Sequence, residues 1–280
     1  MKEINTDKIT KAVKKLCIDA NYYLSDDIKD RLKEAEEKET WPAAKDILNK
    51  IMINSHIAES EKMPMCQDTG MTCVFAQIGQ DVHITGGSIE DAINEGVRQG
   101  YTEGYLRKSV VKDPLDRVNT NDNTPAIIYY NIVPGDKLKI TVAPKGFGSE
   151  NMSQIKMLKP ADGLQGVKDF IIKVVKEAGP NPCPPMVIGV GIGGTFDKAA
   201  NLAKKALIRP TAKRNSNPYY AALEKELLEK INSLGIGPQG FGGRTTALAV
   251  NIETYPTHIA GLPVAVNINC HATRHAEVEF

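Results

Sequence analysis

A chain of 280 residues, 41% hydrophobic and 25% charged, can bury a sizeable core and has the make-up of an ordinary folded protein. Its 35 Lys+Arg against 34 Asp+Glu leave a formal charge of +1, which gives no electrostatic reason to expect nucleic acid or an anionic membrane as partner. No stretch approaches the roughly 18 to 20 apolar residues of a membrane span, and Met1–Asp7 lacks the apolar segment of a secretion signal, so the expected location is the cytoplasm.

The first sixty residues read as helical. Ile9, Val13, Leu16, Cys17 and Ala20 recur at the spacing of an amphipathic helix. Ser25 is placed to cap a second helix that opens on Asp26 and Asp27, acids at its positive end. A third pattern runs from about Ala43 towards Glu61. Thr72–Gly79 then reads as a strand, and Asp81–Thr85 as an extended continuation ended by Gly86-Gly87. Ser88 with Asp91 resembles a capping box that opens a helix through Tyr101. Ala126–Val133 and Lys137–Val142 are β-rich runs, and Pro134-Gly135-Asp136 between them predicts a hairpin. A helix is expected over Gly163–Ala178, a short buried strand over Met186–Gly191, and a further helix from about Phe196. Tyr219–Leu234 is a helix ended by Gly235, with β-type runs at Thr245–Glu253 and Leu262–Asn269. These elements predict a mixed α/β (α+β) fold: a helical region of about residues 1–62, then β segments flanked by helices, as one domain over 1–280.

The densest chemistry lies in Pro64-Met65-Cys66-Gln67-Asp68-Thr69-Gly70. A thiol, an amide, a carboxylate and a hydroxyl stand side by side there, between a proline that fixes φ and a glycine that permits positive φ. Five cysteines is an odd number, and they lie far apart, which argues for reduced thiols rather than a disulfide framework. Cys17 and Cys73 fall on a helix stripe and in a strand and read as core packing. Cys66, Cys183 and Cys270 fall in loops or at a strand end. Spacing alone leaves ligand and small hydrophobe open for these three, because no local zinc-finger or ferredoxin spacing exists. Cys183 sits among prolines in Asn181-Pro182-Cys183-Pro184-Pro185. Cys270 opens Cys270-His271-Ala272-Thr273-Arg274-His275, whose positive groups would favour a thiolate.

His258, between two β runs, suits proton transfer near neutral pH, although a structural histidine explains it as well. Arg107 could clamp a carboxylate with its fork of donors, or simply be solvated. Lys145–Asn151 is rich in backbone donors able to approach an anion, or forms a plain turn. Gly189-Val190-Gly191-Ile192-Gly193-Gly194 satisfies G-x-G-x-x-G, but no acid follows between Lys204 and Asn217 to hold a ribose. Those glycines are read as close packing of strand against helix.

Taken together, Cys66–Gly70, Gly148–Ser153, Lys156-Met157-Leu158-Lys159-Pro160, Asn181–Pro185 and Gly235-Ile236-Gly237-Pro238-Gln239-Gly240 resemble the alpha subunit, or N-terminal half, of class I (iron–sulfur) fumarate hydratases. The related L-tartrate dehydratase alpha subunit shares part of the pattern. The resemblance implies that Cys66, Cys183 and Cys270 hold one [4Fe-4S] cluster with an open iron. It further implies that Gln67, Arg107 and Gly148 contact the substrate, and that Asp68 and His258 form a proton-transfer pair. Phe147 departs from the glycine usual in the Gly146–Gly148 loop. The expected reaction is reversible hydration of fumarate to L-malate, with tartrate dehydration or a non-catalytic iron–sulfur sensor as alternatives. Single-chain members continue beyond the third cysteine, so a separate beta subunit is the expected partner.

Overall fold

The computed structural model describes residues 1–280. In chain order, β1 (Lys2–Asn5) leads into α1 (Thr6–Tyr22), α2 (Asp26–Lys38) and α3 (Pro42–Glu61). Next come β2 (Met71–Gly79), β3 (Val82–Thr85), α4 (Ile89–Glu103), β4 (Ile127–Val133) and β5 (Leu138–Lys145). A single turn, α5 (Phe147–Glu150), precedes β6 (Gln154–Leu158), α6 (Gly163–Ala178) and β7 (Met186–Gly193). The rest is α7 (Phe196–Ala206), α8 (Pro218–Asn232), β8 (Ala247–Tyr255), β9 (Leu262–Asn269) and β10 (Ala276–Glu279). The fold is mixed α/β, as the alternation of periodicities predicts.

The chain forms two compact units. Unit 1 is built from three segments, Met1–Leu24, Asn54–Phe147 and Arg274–Phe280. Its four-stranded sheet has the order β10-β5-β2-β4, and β1 pairs in parallel with β3. The expected hairpin does not form: β4 pairs parallel to β2, and β5 pairs antiparallel to the other edge of β2. The reason is burial. β2 carries a continuous buried run from Thr72 to Ala76 and takes the centre, while the tyrosine- and asparagine-bearing β4 stays half-exposed at an edge. The turn residues instead receive the end of β2, with Gly79 N–H donating to the Lys137 carbonyl at 2.8 Å and Asp81 N–H to that of Gly135 at 3.0 Å.

Against this sheet pack α1 and α4. Asn5 caps α1 by accepting the Asp7 N–H at 2.8 Å, and Ser88 caps α4 through the Asp91 N–H. Ser25 occupies the N-cap of α2 in backbone geometry, but its hydroxyl makes no cap bond; its carbonyl accepts from Ile28 and Lys29 instead. Gly96 and Gly100 of α4 let α1 and α4 touch: a Cβ on Gly100 would lie 2.8 Å from the Cys17 Cβ. Cys17 is therefore packing, in a core with Ile9, Val13, Val97, Ile140 and Val142.

Unit 2 comprises Ser25–Ile53 and Gly148–Thr273. Its sheet has the order β6-β9-β7-β8, with β7 parallel to β8 and antiparallel to β9. β7 is buried along its whole length, which explains its unbroken apolar sequence. Its glycines serve approach rather than a nucleotide. A Cβ on Gly189 would stand 2.1 Å from the Ala203 carbonyl oxygen, and one on Gly191 2.1 Å from that of Ala199. The backbone of α7 thus lies directly on the strand. Replacing Gly191 by Ala should force this pair apart and lower stability by about 3 kcal/mol; urea unfolding of the variant beside the parent measures it.

Candidate active site

In unit 1 the Cys66–Gly70 loop is held at both ends. Met65 N–H donates to Asn21 O at 3.0 Å, and Asn54 Nδ2 donates to Met65 O at 2.8 Å. The fully buried Tyr101 hydroxyl reaches both the Thr69 and Gly70 carbonyls, at 2.7 and 3.0 Å. Gly70, at φ +79°, passes so close to β5 that a Cβ would meet Lys145 N at 2.8 Å. Only glycine fits both the dihedral and the space.

This loop delivers Asp68 with its carboxylate held at each oxygen. Gly70 N–H donates to Oδ1 at 3.0 Å and Phe147 N–H to Oδ2 at 2.8 Å. Behind the side chain, Arg274 Nη2 donates to the Asp68 carbonyl. The Cys66 thiol contacts Gln67 Oε1 at 3.5 Å, and Gln67 itself is exposed. Arg107 joins the same loop through its backbone: Thr69 Oγ1 donates to its carbonyl at 3.0 Å. Buried Asn123 completes the link, accepting from Ser109 N–H at 2.7 Å and donating to Gly70 O at 3.2 Å. The Arg107 side chain remains exposed. Unit 1 therefore gathers Cys66, Gln67, Asp68 and Arg107.

Unit 2 gathers a second set. The register of β7 and β9 pairs Val187 with Asn269, so Cys183, just before one strand, and Cys270, just after the other, belong to the same sheet end. His271 ties them: its N–H donates to the Cys183 carbonyl at 3.3 Å, and its Nδ1 lies 3.0 Å from that oxygen. Cys183 takes φ +54°, and its N–H donates to Pro180 O at 3.0 Å. Gln239 clamps the neighbouring turn, with its backbone N–H and its Nε2 both donating to Pro184 O. Gly148 belongs here too, its nearest outside atom in the Cβ direction being Asn181 O at 3.8 Å. The run that follows Gly148 docks onto the end of β9. Asn267 Nδ2 donates to Glu150 Oε2 at 2.7 Å, and Ser153 Oγ accepts from Ile268 N–H at 3.1 Å.

His258 stands apart from this set. It is exposed, and its Nδ1 accepts from Ala260 N–H at 3.2 Å. It precedes β9 while Cys270 follows it, so the whole strand, about 25 Å of extended chain, separates them within unit 2.

The thiols divide by environment. Cys17 and Cys73 are buried, Cys66 and Cys270 half-buried, and Cys183 exposed, and none is in a disulfide. Burial pushes the Cys17 thiol from 9.0 up to about 12. Burial likewise raises the Tyr101 phenol, with Arg274 pulling it down and Asp68 pushing it up, so Tyr101 stays a neutral donor. No three histidine, cysteine or acidic side chains converge as a metal site. What does fit an iron–sulfur group is the donor chemistry: three thiols outside regular structure, two of them joined at one sheet end by His271.

The residues that hold these loops carried little warning. Tyr101 and Asn123 lie far from Cys66 in sequence. Gln239 falls within the Gly235–Gly240 run, where nothing local assigns it a role. His271 and Arg274, expected as positive surroundings for a thiolate, also reach the carbonyls of Cys183 and Asp68.

A family model described as "Fumarate hydratase (Fumerase)" matches residues 10–279. The chain belongs to this hydro-lyase family. A Methanocaldococcus jannaschii protein provisionally named as an L(+)-tartrate dehydratase subunit alpha is 46% identical over 275 residues, 96% of each chain. The protein named L(+)-tartrate dehydratase subunit alpha in Escherichia coli strain UTI89 is 33% identical, covering 100% of this chain and 95% of its own. The Escherichia coli K12 protein of the same name is 32% identical over the same spans.

Iodoacetamide at pH 8 on chelator-treated protein should modify Cys66, Cys183 and Cys270, and spare Cys17 and Cys73 until the chain unfolds; peptide mass spectrometry reads this directly. The raised Cys17 value also sets a sign. Below pH 9 both folded and unfolded thiols are protonated, and the stabilisation is fully present. It is lost as pH climbs from 9 towards 12, because only the unfolded chain releases the proton.

Proposed function

We propose that this chain is the alpha-type subunit of a hydro-lyase that reversibly hydrates fumarate to L-malate, completed by a separate beta-type subunit. The observation that carries the reading is Asp68: a carboxylate held at both oxygens by backbone amides, two residues from a loop thiol. Cys66, Cys183 and Cys270 are the residues that would hold a [4Fe-4S] cluster. When bound, such a group supplies an open iron, a Lewis acid for a substrate hydroxyl and carboxylate.

The chain's own groups have definite tasks. Asp68 takes the proton from the substrate carbon in the malate-to-fumarate direction and returns it in hydration. Two amide donors keep its carboxylate in one orientation and leave its remaining lone pairs for that proton. Arg107, exposed and anchored by its own carbonyl, presents a fork suited to a carboxylate. Gln67 and the backbone of Gly148 add neutral donors. His258 remains a candidate for proton exchange with solvent; its distance from Cys270 within unit 2 leaves Asp68 as the group on which the proposal rests.

The beta-type partner is supported by the names of the relatives, each a "subunit alpha". The same names support a second reading, dehydration of L(+)-tartrate, which also removes water from a hydroxylated four-carbon dicarboxylate. Ratios of kcat/KM for malate and tartrate in the anaerobically assembled complex decide between them. Asp68→Asn should lower kcat by about 10² to 10⁴-fold with iron content unchanged. Normal turnover by the Asp68→Asn complex sinks the assignment. The chain without its partner should be inactive, and normal malate formation by it alone would overturn the two-subunit reading.

A further inference from the structure

The guanidinium of Arg274 is the least expected group near Asp68. It is 4% exposed, and its Nε and Nη1 have no hydrogen-bond partner in the protein. An arginine stays charged at every working pH, and an incompletely bonded buried charge is costly. Its single protein bond, from Nη2, goes to the carbonyl of Asp68.

The surrounding geometry shows what that bond controls. Gly146 lies beside both groups: a Cβ there would lie 3.2 Å from Asp68 Oδ2 and 3.8 Å from Arg274 Nη2. Phe147 N–H and Gly70 N–H hold the carboxylate, but Gly70 belongs to the same loop and cannot anchor it from outside. Tyr101 and Asn123 anchor Thr69 and Gly70, and Asn54 anchors Met65. Arg274 supplies the outside anchor of Asp68's own backbone, from a segment far along the chain. Without it the peptide between Asp68 and Thr69 could rotate, carrying the carboxylate away from the Phe147 amide.

We propose that Arg274 is a positioning residue for the proposed reaction, fixing the Asp68 peptide so that the carboxylate meets the substrate in one orientation. This rests on the assignment of Asp68 as the proton-transfer group. Misplacement by about 1 Å is enough to cost roughly 10²-fold in rate.

The test compares the parent complex with Arg274→Ala and Arg274→Lys, the latter keeping the charge and stem should the alanine variant fold poorly. In the anaerobic complex, kcat per bound iron should fall roughly 10²-fold for Ala and less for Lys, with KM within about threefold. Added guanidinium ion should restore part of the Ala variant's kcat. In the metal-free chain, hydrogen exchange at the Gly70 and Phe147 amides should accelerate at least about tenfold in both variants, with core amides of β2 unchanged. Unchanged exchange at those two amides overturns the proposal, even if no turnover is obtained for any protein. Unchanged kcat per iron, or a rate loss matched by lost iron with no rescue, overturns it as well. An inactive parent complex whose variants still lose that protection counts against the hydro-lyase reading and supports Arg274 as the holder of the loop.

Discussion

The carboxylate of Asp68 accepts one amide from its own loop and one from the far end of β5, and much of unit 1 is arranged so that both can reach it. Gly70 must turn back at positive φ, and the loop must lie against Lys145 with no room for a side chain. Phe147 must present its N–H where α5 begins. The tyrosine beneath must stay neutral to keep the one proton it shares between the Thr69 and Gly70 carbonyls, which its burial favours. Each requirement is local, yet the residues meeting them come from the Cys66–Gly70 loop, α4, the end of β5 and the start of α5.

Unit 2 solves a related problem with different means. Two thiols far apart in sequence are brought to one sheet end by antiparallel pairing of β7 with β9. The proline-rich turn around Cys183 has few backbone donors of its own. Neighbours therefore supply the bonds: Gln239 donates to Pro184, and His271 to Cys183. The run from Gly148 to Ser153 is bonded to the last residues of β9 before Cys270, so Glu150 and Ser153 serve the frame rather than the chemistry.

How far the sequence foretold this depends on the range of the interaction. Helix periodicity marks α1 and α8, because a buried stripe is a local property, and a capping box marks the start of α4. Burial of Cys17 followed from its place on such a stripe. The glycines of β7 were legible as packing once no acid followed them. Pairing was less legible. Pro134-Gly135-Asp136 looks like a hairpin turn, and nothing local announces that β2 will enter between the flanking strands. Short strands such as β1, β6 and β10 gave no periodic signal in four or five residues. Candidate site residues stood out as types in loops, whereas two groups that hold them, Asn123 and Gln239, look like ordinary polar residues until the fold places them, and Arg274 draws notice only for its charge near Cys270. His258 illustrates the converse: sequence distance to Cys270 is short, but an extended strand turns that short stretch into the length of a sheet.

The discontinuity of unit 1 has a consequence for how the protein is made. Its strand β10 and Arg274 leave the ribosome only after all of unit 2, whose larger segment is a single continuous run. Unit 1 therefore cannot be completed from its N-terminal residues alone: the Asp68 loop lacks its Arg274 anchor until the chain has been made past Cys270.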